Sequence, residues 1–125
     1  LLHTSLDPRR TTANDLAIAL EGLYVGKFLG SNMQSYLLNL MSTPTENDTM
    51  YLGQLTQALT GANYYNKRGT LFNPLILGDM GILTYNNTAY IIVLCGHLEK
   101  SKGPNYADIE RSMKEFAVVF AESIR

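Results

Sequence analysis

Several kinds of chemistry are excluded by what the sequence has little of. It holds one cysteine, Cys95, so no internal disulfide can form. That thiol lies in the apolar run Tyr90 to Cys95, where a buried, inert side chain is the expectation. Two histidines, His3 and His97, stand far apart with no second ligand at metal spacing, so neither a metal nor another cofactor is expected. The formal charge is -1, with acids and bases mixed along the chain, which leaves no basic footprint for nucleic acid and no acidic tail. No apolar run approaches the roughly 20 residues of a membrane-spanning helix, and the first residues lack the charged and apolar regions of a signal peptide; an export signal would lie outside this sequence. No serine is followed three residues later by lysine, none sits in a Gly-x-Ser-x-Gly turn, and Ser-Asp-Asn does not occur. An activated serine nucleophile is therefore absent from these residues.

What is present suits one globular domain. The 125 residues are 46% hydrophobic, enough for a core and too few for two domains, so residues 1–125 are read as a single unit. Residues 1–10 show no period, and Asp7-Pro8-Arg9-Arg10 reads as a turn before a helix. Thr12-Ala13-Asn14-Asp15 is a capping-box pattern, and Leu16, Leu20, Leu23 and Tyr24 then share one helical face that ends near Gly26 and Gly30. Ser31 with Gln34 repeats the capping pattern ahead of Tyr36, Leu37, Leu40 and Met41, so a second helix is expected to stop before Pro44. After the polar loop Ser42 to Asp48, the residues Met50, Leu52, Leu55 and Leu59 predict a short third helix ending at Gly61.

Beyond Gly61 the pattern changes to strands. Asn63 to Thr70 reads as extended, Leu71 to Leu77 as a loop interrupted by Asn73-Pro74, and Gly78 to Tyr85 with Thr88 to Gly96 as a hairpin closed by Asn86-Asn87. The continuously apolar stretch Tyr90 to Cys95 predicts a strand inside a sheet, covered on both faces. After a polar loop, Pro104 to Asp108 starts a long helix with Ile109, Met113, Phe116, Ala117, Phe120 and Ile124 on one stripe. The expected class is α+β: an antiparallel sheet, three strands of which are present, packed against helices.

The stretch with the most chemical content is Lys67-Arg68-Gly69-Thr70. Charged pairs often protect the edge of a sheet against added strands. A glycine directly after them often marks a place where a ligand or another backbone comes close, and two cations there can hold a carboxylate. The backbone amide of Thr70 on such an edge is a usable oxyanion donor. Asp79, beside Gly78, reads as a turn-capping carboxylate in preference to an acid or base. The tyrosines, scattered over strands and helices, read as filling core and surface.

Taken together, Thr11 to Ala17 leading into Leu23-Tyr24, Lys67-Arg68-Gly69-Thr70, Asp79-Met80-Gly81-Ile82, the apolar hairpin and the final amphipathic helix resemble the C-terminal half of class A β-lactamases and related penicillin-binding serine hydrolases. The resemblance runs from about Asp7 to Arg125 and implies the β-lactamase/transpeptidase-like fold. It implies that Lys67 directs positive charge at a substrate carboxylate, that Gly69 lets the acyl group approach, and that the Thr70 N–H is the second oxyanion donor. Arg68 departs from the family pattern, which has a threonine there; a guanidinium can bind a carboxylate bidentately in its place, or fill the cleft by its bulk. The resemblance further implies a bacterial, extracytoplasmic protein, whether secreted, periplasmic or at the cell surface, acting on a small molecule or peptide with a carboxylate. The family's nucleophile would precede Leu1, so the chain is expected to be a fragment that needs a complementary N-terminal segment of the same fold. Two functions follow: part of a serine acyl-transfer hydrolase of β-lactams or cell-wall-type peptides, or a catalytically inactive module that keeps the fold for binding.

Overall fold

Capping chemistry starts both of the longer helices. In the computed structural model, which describes residues 11–42, 51–72, 75–98 and 105–125, helix α1 spans Ala13–Tyr24. The Thr12 hydroxyl accepts the Asp15 amide at 3.1 Å, and the Asp15 carboxylate accepts the Thr12 amide at 3.2 Å. Asn105 and Asp108 make the same reciprocal pair at the start of the C-terminal helix over Tyr106–Ile124. Each pair satisfies two amides that a helix start leaves without partners. The expected turn at Asp7 to Arg10, the loop over 43–48, the contribution of Met50, the Asn73-Pro74 interruption and the polar loop before Asn105 lie outside the described residues.

Helix α2, Ser31–Met41, departs from its expected capping. Gly30 is its N-cap and no side chain caps it. Gln34 turns away and donates through Nε2 to the carbonyls of Leu23 at 3.0 Å and Tyr24 at 2.7 Å. The glutamine thus closes the C-terminus of α1, whose last carbonyls have no helical partner, and fixes the two helices as a hairpin. A 3-10 turn at Tyr51–Gly53 leads into the short helix α3, Gln54–Ala58, and Gly61 with φ +84° ends that segment; the C-terminal helix is α4.

Three antiparallel strands follow in the spatial order β1-β2-β3: β1 Asn63–Phe72, β2 Leu75–Tyr85 and β3 Thr88–Leu98. Asn86 and Asn87 take φ values of 49° and 62°, the left-handed pair that a two-residue hairpin loop demands. The expected loop over Leu71 to Leu77 is largely strand, because Thr70, Leu71 and Phe72 pair with Leu77, Ile76 and Leu75.

Among the described residues β3 has one ladder partner, the central strand β2, as follows when only three strands of the expected sheet are present. Its apolar run is explained by helices on both sides: α4 lies over Ile92 and Leu94, and α1 reaches β3 from the other face. Cys95, expected to be buried, is exposed, since it stands on the α1 side near the open edge.

The core lies between the sheet and α4. Leu52, Leu55, Leu59, Tyr64, Leu83, Ile92, Ala117 and Ala121 form one cluster; Tyr51, Leu77 and Met113 form a second beside it. Ala117 and Ala121 let α4 approach closely, and Gly96 is required beneath it, where an added Cβ would fall 2.6 Å from Ile109. Helices and strands are segregated along the chain, as an α+β fold requires. No described helix is long and apolar enough to cross a membrane.

Candidate functional site

The edge strand β1 presents Lys67 to Thr70 in a way that alternation dictates. Side chains of successive strand residues point to opposite faces, so Asn66, Arg68 and Thr70 share the α4 face with Tyr64, whereas Lys67 and Gly69 share the α1 face. The register places Arg68 opposite Asp79, Gly69 opposite Gly78 and Lys67 opposite Met80. The two cations that stand side by side in sequence therefore leave the sheet in opposite directions, although both border one cavity.

Backbone groups alternate as well, with the N–H and C=O of one residue pointing to the same side of an antiparallel strand. The Tyr65 carbonyl lies against β2, where an added Gly81 Cβ would fall 2.5 Å from it. The Arg68 carbonyl, in contrast, accepts the Lys67 ammonium in an exposed contact. Arg68 and Thr70 thus turn their backbone polar groups toward the outer edge of β1, which no other strand covers among the described residues.

Gly69 and Gly78 face each other across the β1-β2 ladder and strip the sheet of side chains on the α1 side. A Cβ added at Gly69 would meet no atom within 4 Å, and one at Gly78 would meet Cys95 Sγ at 3.8 Å. Above this bare floor is a cavity of about 290 Å³ bordered by Leu16, Lys67, Met80 and Cys95. A neighbouring apolar cavity of about 300 Å³ shares Leu16, Lys67 and Met80 and extends along Ala19, Leu20 and Leu23 to Met41 of α2. Lys67 is the one charged side chain common to both.

On the α4 face the polar groups are tied together. Asp79 is 1% exposed and accepts three hydrogen bonds: from the Leu52 amide at 3.1 Å, the Tyr64 hydroxyl at 3.1 Å and the Asn66 amide group at 3.0 Å. Burial pushes its carboxyl above the ordinary value, while the Asn66, Leu52 and Tyr64 hydrogen bonds and the charge of Arg68 oppose that rise. The expected turn cap is thereby corrected. Asp79 sits in mid-strand and holds the 3-10 turn onto β1 and β2, which remains a structural role.

Close by, the Thr70 hydroxyl is 3.2 Å from Tyr51 Oη, and Tyr51 Oη is 2.7 Å from Tyr106 Oη. The Tyr106 hydroxyl is pushed up to about 12, chiefly by its hydrogen bond to Tyr51, then by burial and by the charges of Tyr51 and Glu110; Arg68 acts in the opposite sense. Sequence reasoning missed these two tyrosines, which are 55 residues apart in the chain. Nothing in their local pattern marks them, because only the packing of α4 onto the 3-10 turn brings them together. Among the described residues no group of three or more His, Cys, Asp or Glu is placed to hold a metal ion.

An antiparallel sheet with a capped C-terminal helix on one face, a helical hairpin on the other and a glycine-bearing edge strand is the β-lactamase/transpeptidase-like arrangement. The sequence model of the beta-lactamase enzyme family matches residues 3–116, and the chain belongs to that family. Among solved structures it is similar to PBP-A, with a TM-score of 0.62 and 21% identity over 90% of this chain. The same figures hold for an acyl-enzyme complex of a PBP-A mutant with penicillin-G. At that identity the likeness establishes the fold, and this chain spans 40% of the length of those chains. No curated protein matches it significantly.

Proposed function

We propose that β1 is the substrate-binding strand of an exported, penicillin-binding serine hydrolase, with the nucleophile supplied by a complementary segment of the same fold. In this reading the serine hydroxyl of that segment attacks an amide or β-lactam carbonyl. The C–N bond breaks, the amine leaves with the serine proton, and water later cleaves the ester to a carboxylate and free serine. The Thr70 N–H is one of two donors to the oxyanion of each tetrahedral intermediate, a contact worth roughly 100- to 1,000-fold in rate. Gly69 leaves room for the acyl group, and Lys67 directs its charge at the substrate carboxylate. Arg68 offers a second, bidentate contact to that carboxylate from the edge of the strand.

The observation that carries the reading is the bare Gly69–Gly78 floor next to an outward-turned Thr70 backbone, in a chain of this family. A complementary segment is favoured by the 40% coverage of PBP-A and by the apolar surface around α1 and α2, where Ile18, Phe28, Met33, Tyr36 and Leu40 are exposed.

The test is covalent labelling of the full-length protein with a fluorescent penicillin. The protein is expected to label, and Gly69→Val is expected to abolish labelling while the thermal transition stays in place, since a Cβ at this position meets no atom within 4 Å. A folded full-length protein that does not label, and does not gain labelling on Arg68→Thr, would overturn the hydrolase reading in favour of a non-catalytic binding module. A gain of labelling in Arg68→Thr would show that the guanidinium limits access to an otherwise competent site.

A further inference from the structure

We infer that Tyr51 and Tyr106 are positioning residues that hold the Thr70 backbone in place, so that its amide is preorganised along the outer edge of β1. The inference rests on the reading of Thr70 as an oxyanion donor and adds how that donor is held.

An oxyanion donor acts without reorganisation only if it already points where charge will develop. An edge strand is a poor place for one, because half of its backbone groups have no ladder partner to fix them. Thr70 is exposed, and its outward amide belongs to that unpaired set. Its side chain, however, lies on the opposite, α4 side of the backbone line, where the hydroxyl meets Tyr51 Oη at 3.2 Å.

Tyr51 is a fixed point. It is 2% exposed, belongs to the core cluster with Leu77 and Met113, and holds a left-handed backbone with φ +49°. A non-glycine residue keeps that conformation only where its surroundings enforce it, and the next amide, Leu52, is bound to the buried Asp79. Tyr106 is the first residue of α4 and bonds the Tyr51 hydroxyl at 2.7 Å, with the rings inclined at 51°. The three hydroxyls therefore form a row from the start of α4, through the 3-10 turn, to the edge strand. Either oxygen can donate in each of the two contacts, so the row is satisfied when both bonds run in the same direction. A Tyr106 group that resists ionisation to about 12 keeps the row intact across the neutral and mildly alkaline range.

Thr70→Val separates the tether from the donor, since it removes the hydroxyl and keeps the amide. It also changes an exposed residue, so it leaves the core untouched if Tyr51→Phe fails to fold. In the full-length protein, the acylation rate at saturating penicillin and the half-saturating concentration are measured for Thr70→Val, Tyr51→Phe, the double variant, Tyr106→Phe and Thr70→Ser. Both single variants are expected to lower the saturated rate about 10-fold with less than about a two-fold change in half-saturation, because a misplaced donor acts on the transition state alone. The double variant is expected to be no slower than either single one, Tyr106→Phe to lose about 3-fold, and Thr70→Ser to restore the rate. A saturated rate within about two-fold of the parent in Thr70→Val, or losses that multiply in the double variant, overturns the inference.

Amide hydrogen exchange keeps this test apart from the test of the hydrolase reading. If the parent is not acylated at all, the reading of Thr70 as a donor fails, while the tether is still decided by the Thr70 amide. Exchange about 10-fold faster in Thr70→Val supports the tether, and unchanged exchange overturns it.

Discussion

The two faces of the sheet differ in how far they are finished. On the α4 face Leu52, Leu55, Leu59, Leu77 and Leu83 are each at most 1% exposed, and the buried carboxylate of Asp79 has a donor on every side. On the α1 face Ile82 and Leu20 are buried, but Ile18 and Phe28 are more than half exposed and α2 buries no residue at all. Two adjoining cavities lie between parts of α1 and the sheet. The candidate site sits on the boundary: Thr70 is tied into the finished side, and Lys67 and Gly69 look out over the open one. One edge strand thus has a packed face that anchors it and an open face that, in the proposed reading, receives the ligand.

The largest effects should come from testing whether the faces differ in energy as they do in burial. Leu55 is fully buried and Leu40 is 55% exposed. Leu55→Ala is expected to cost about 2–5 kcal/mol through lost burial and the cavity left behind, and Leu40→Ala less than about 0.5 kcal/mol. Urea midpoints read both. Equal losses would mean that α2 is packed in the folded protein and that the comparison fails.

A finer version uses glycines on facing strands. A Cβ added at Gly81 would lie 2.5 Å from the Tyr65 carbonyl and 2.6 Å from the Tyr64 ring, and a backbone carbonyl cannot move aside without opening the ladder. Gly81→Ala is expected to cost about 1–3 kcal/mol. Gly69→Ala, with nothing within 4 Å, should stay within about 0.5 kcal/mol of the parent. The pair distinguishes a glycine demanded by packing from one that leaves space for something outside this chain, and a large loss at Gly69 would remove the bare floor from the site.

How much of this was legible in the sequence follows the range of each interaction. Thr12 with Asp15 and Asn105 with Asp108 are three residues apart, so both helix starts could be read directly, as could the Asn86-Asn87 turn. The α+β order and the placement of Lys67 to Thr70 on a strand follow from periodicity. Where the reading failed, a distant partner decided the outcome. Gln34 fits a capping box with Ser31, yet the free carbonyls of Leu23 and Tyr24 compete for its amide and win. Asp79 resembles a turn cap until Leu52, Tyr64 and Asn66 converge on it from two other elements. Cys95 reads as buried with the run Tyr90 to Cys95, and it is exposed on the α1 side, where the sheet is less closely covered. Alternation alone places Lys67 and Arg68 on opposite faces, a consequence available as soon as the strand was assigned.

Asp79 gives the most pointed question about where the two faces meet. All three of its partners donate, so Asp79→Asn turns one acceptor into a donor aimed at another donor and is expected to cost about 1–3 kcal/mol at neutral pH. Burial dominates its carboxyl and raises it above 3.8. Through the window from 3.8 up to that raised value the native state keeps a proton that the unfolded chain has released. The folded form then binds more protons, and stability from this group falls as pH rises through the window and is level above it. The stability of the parent minus that of Asp79→Asn should therefore be larger near pH 4 than at pH 7, as read by urea unfolding at each pH. A difference that grows with pH would mean that the carboxylate is held ionised, with Arg68 across the ladder as its counter-charge. Arg68, already on the α4 face, would then act as an anchor, and in the proposed reading the substrate carboxylate would be left to Lys67.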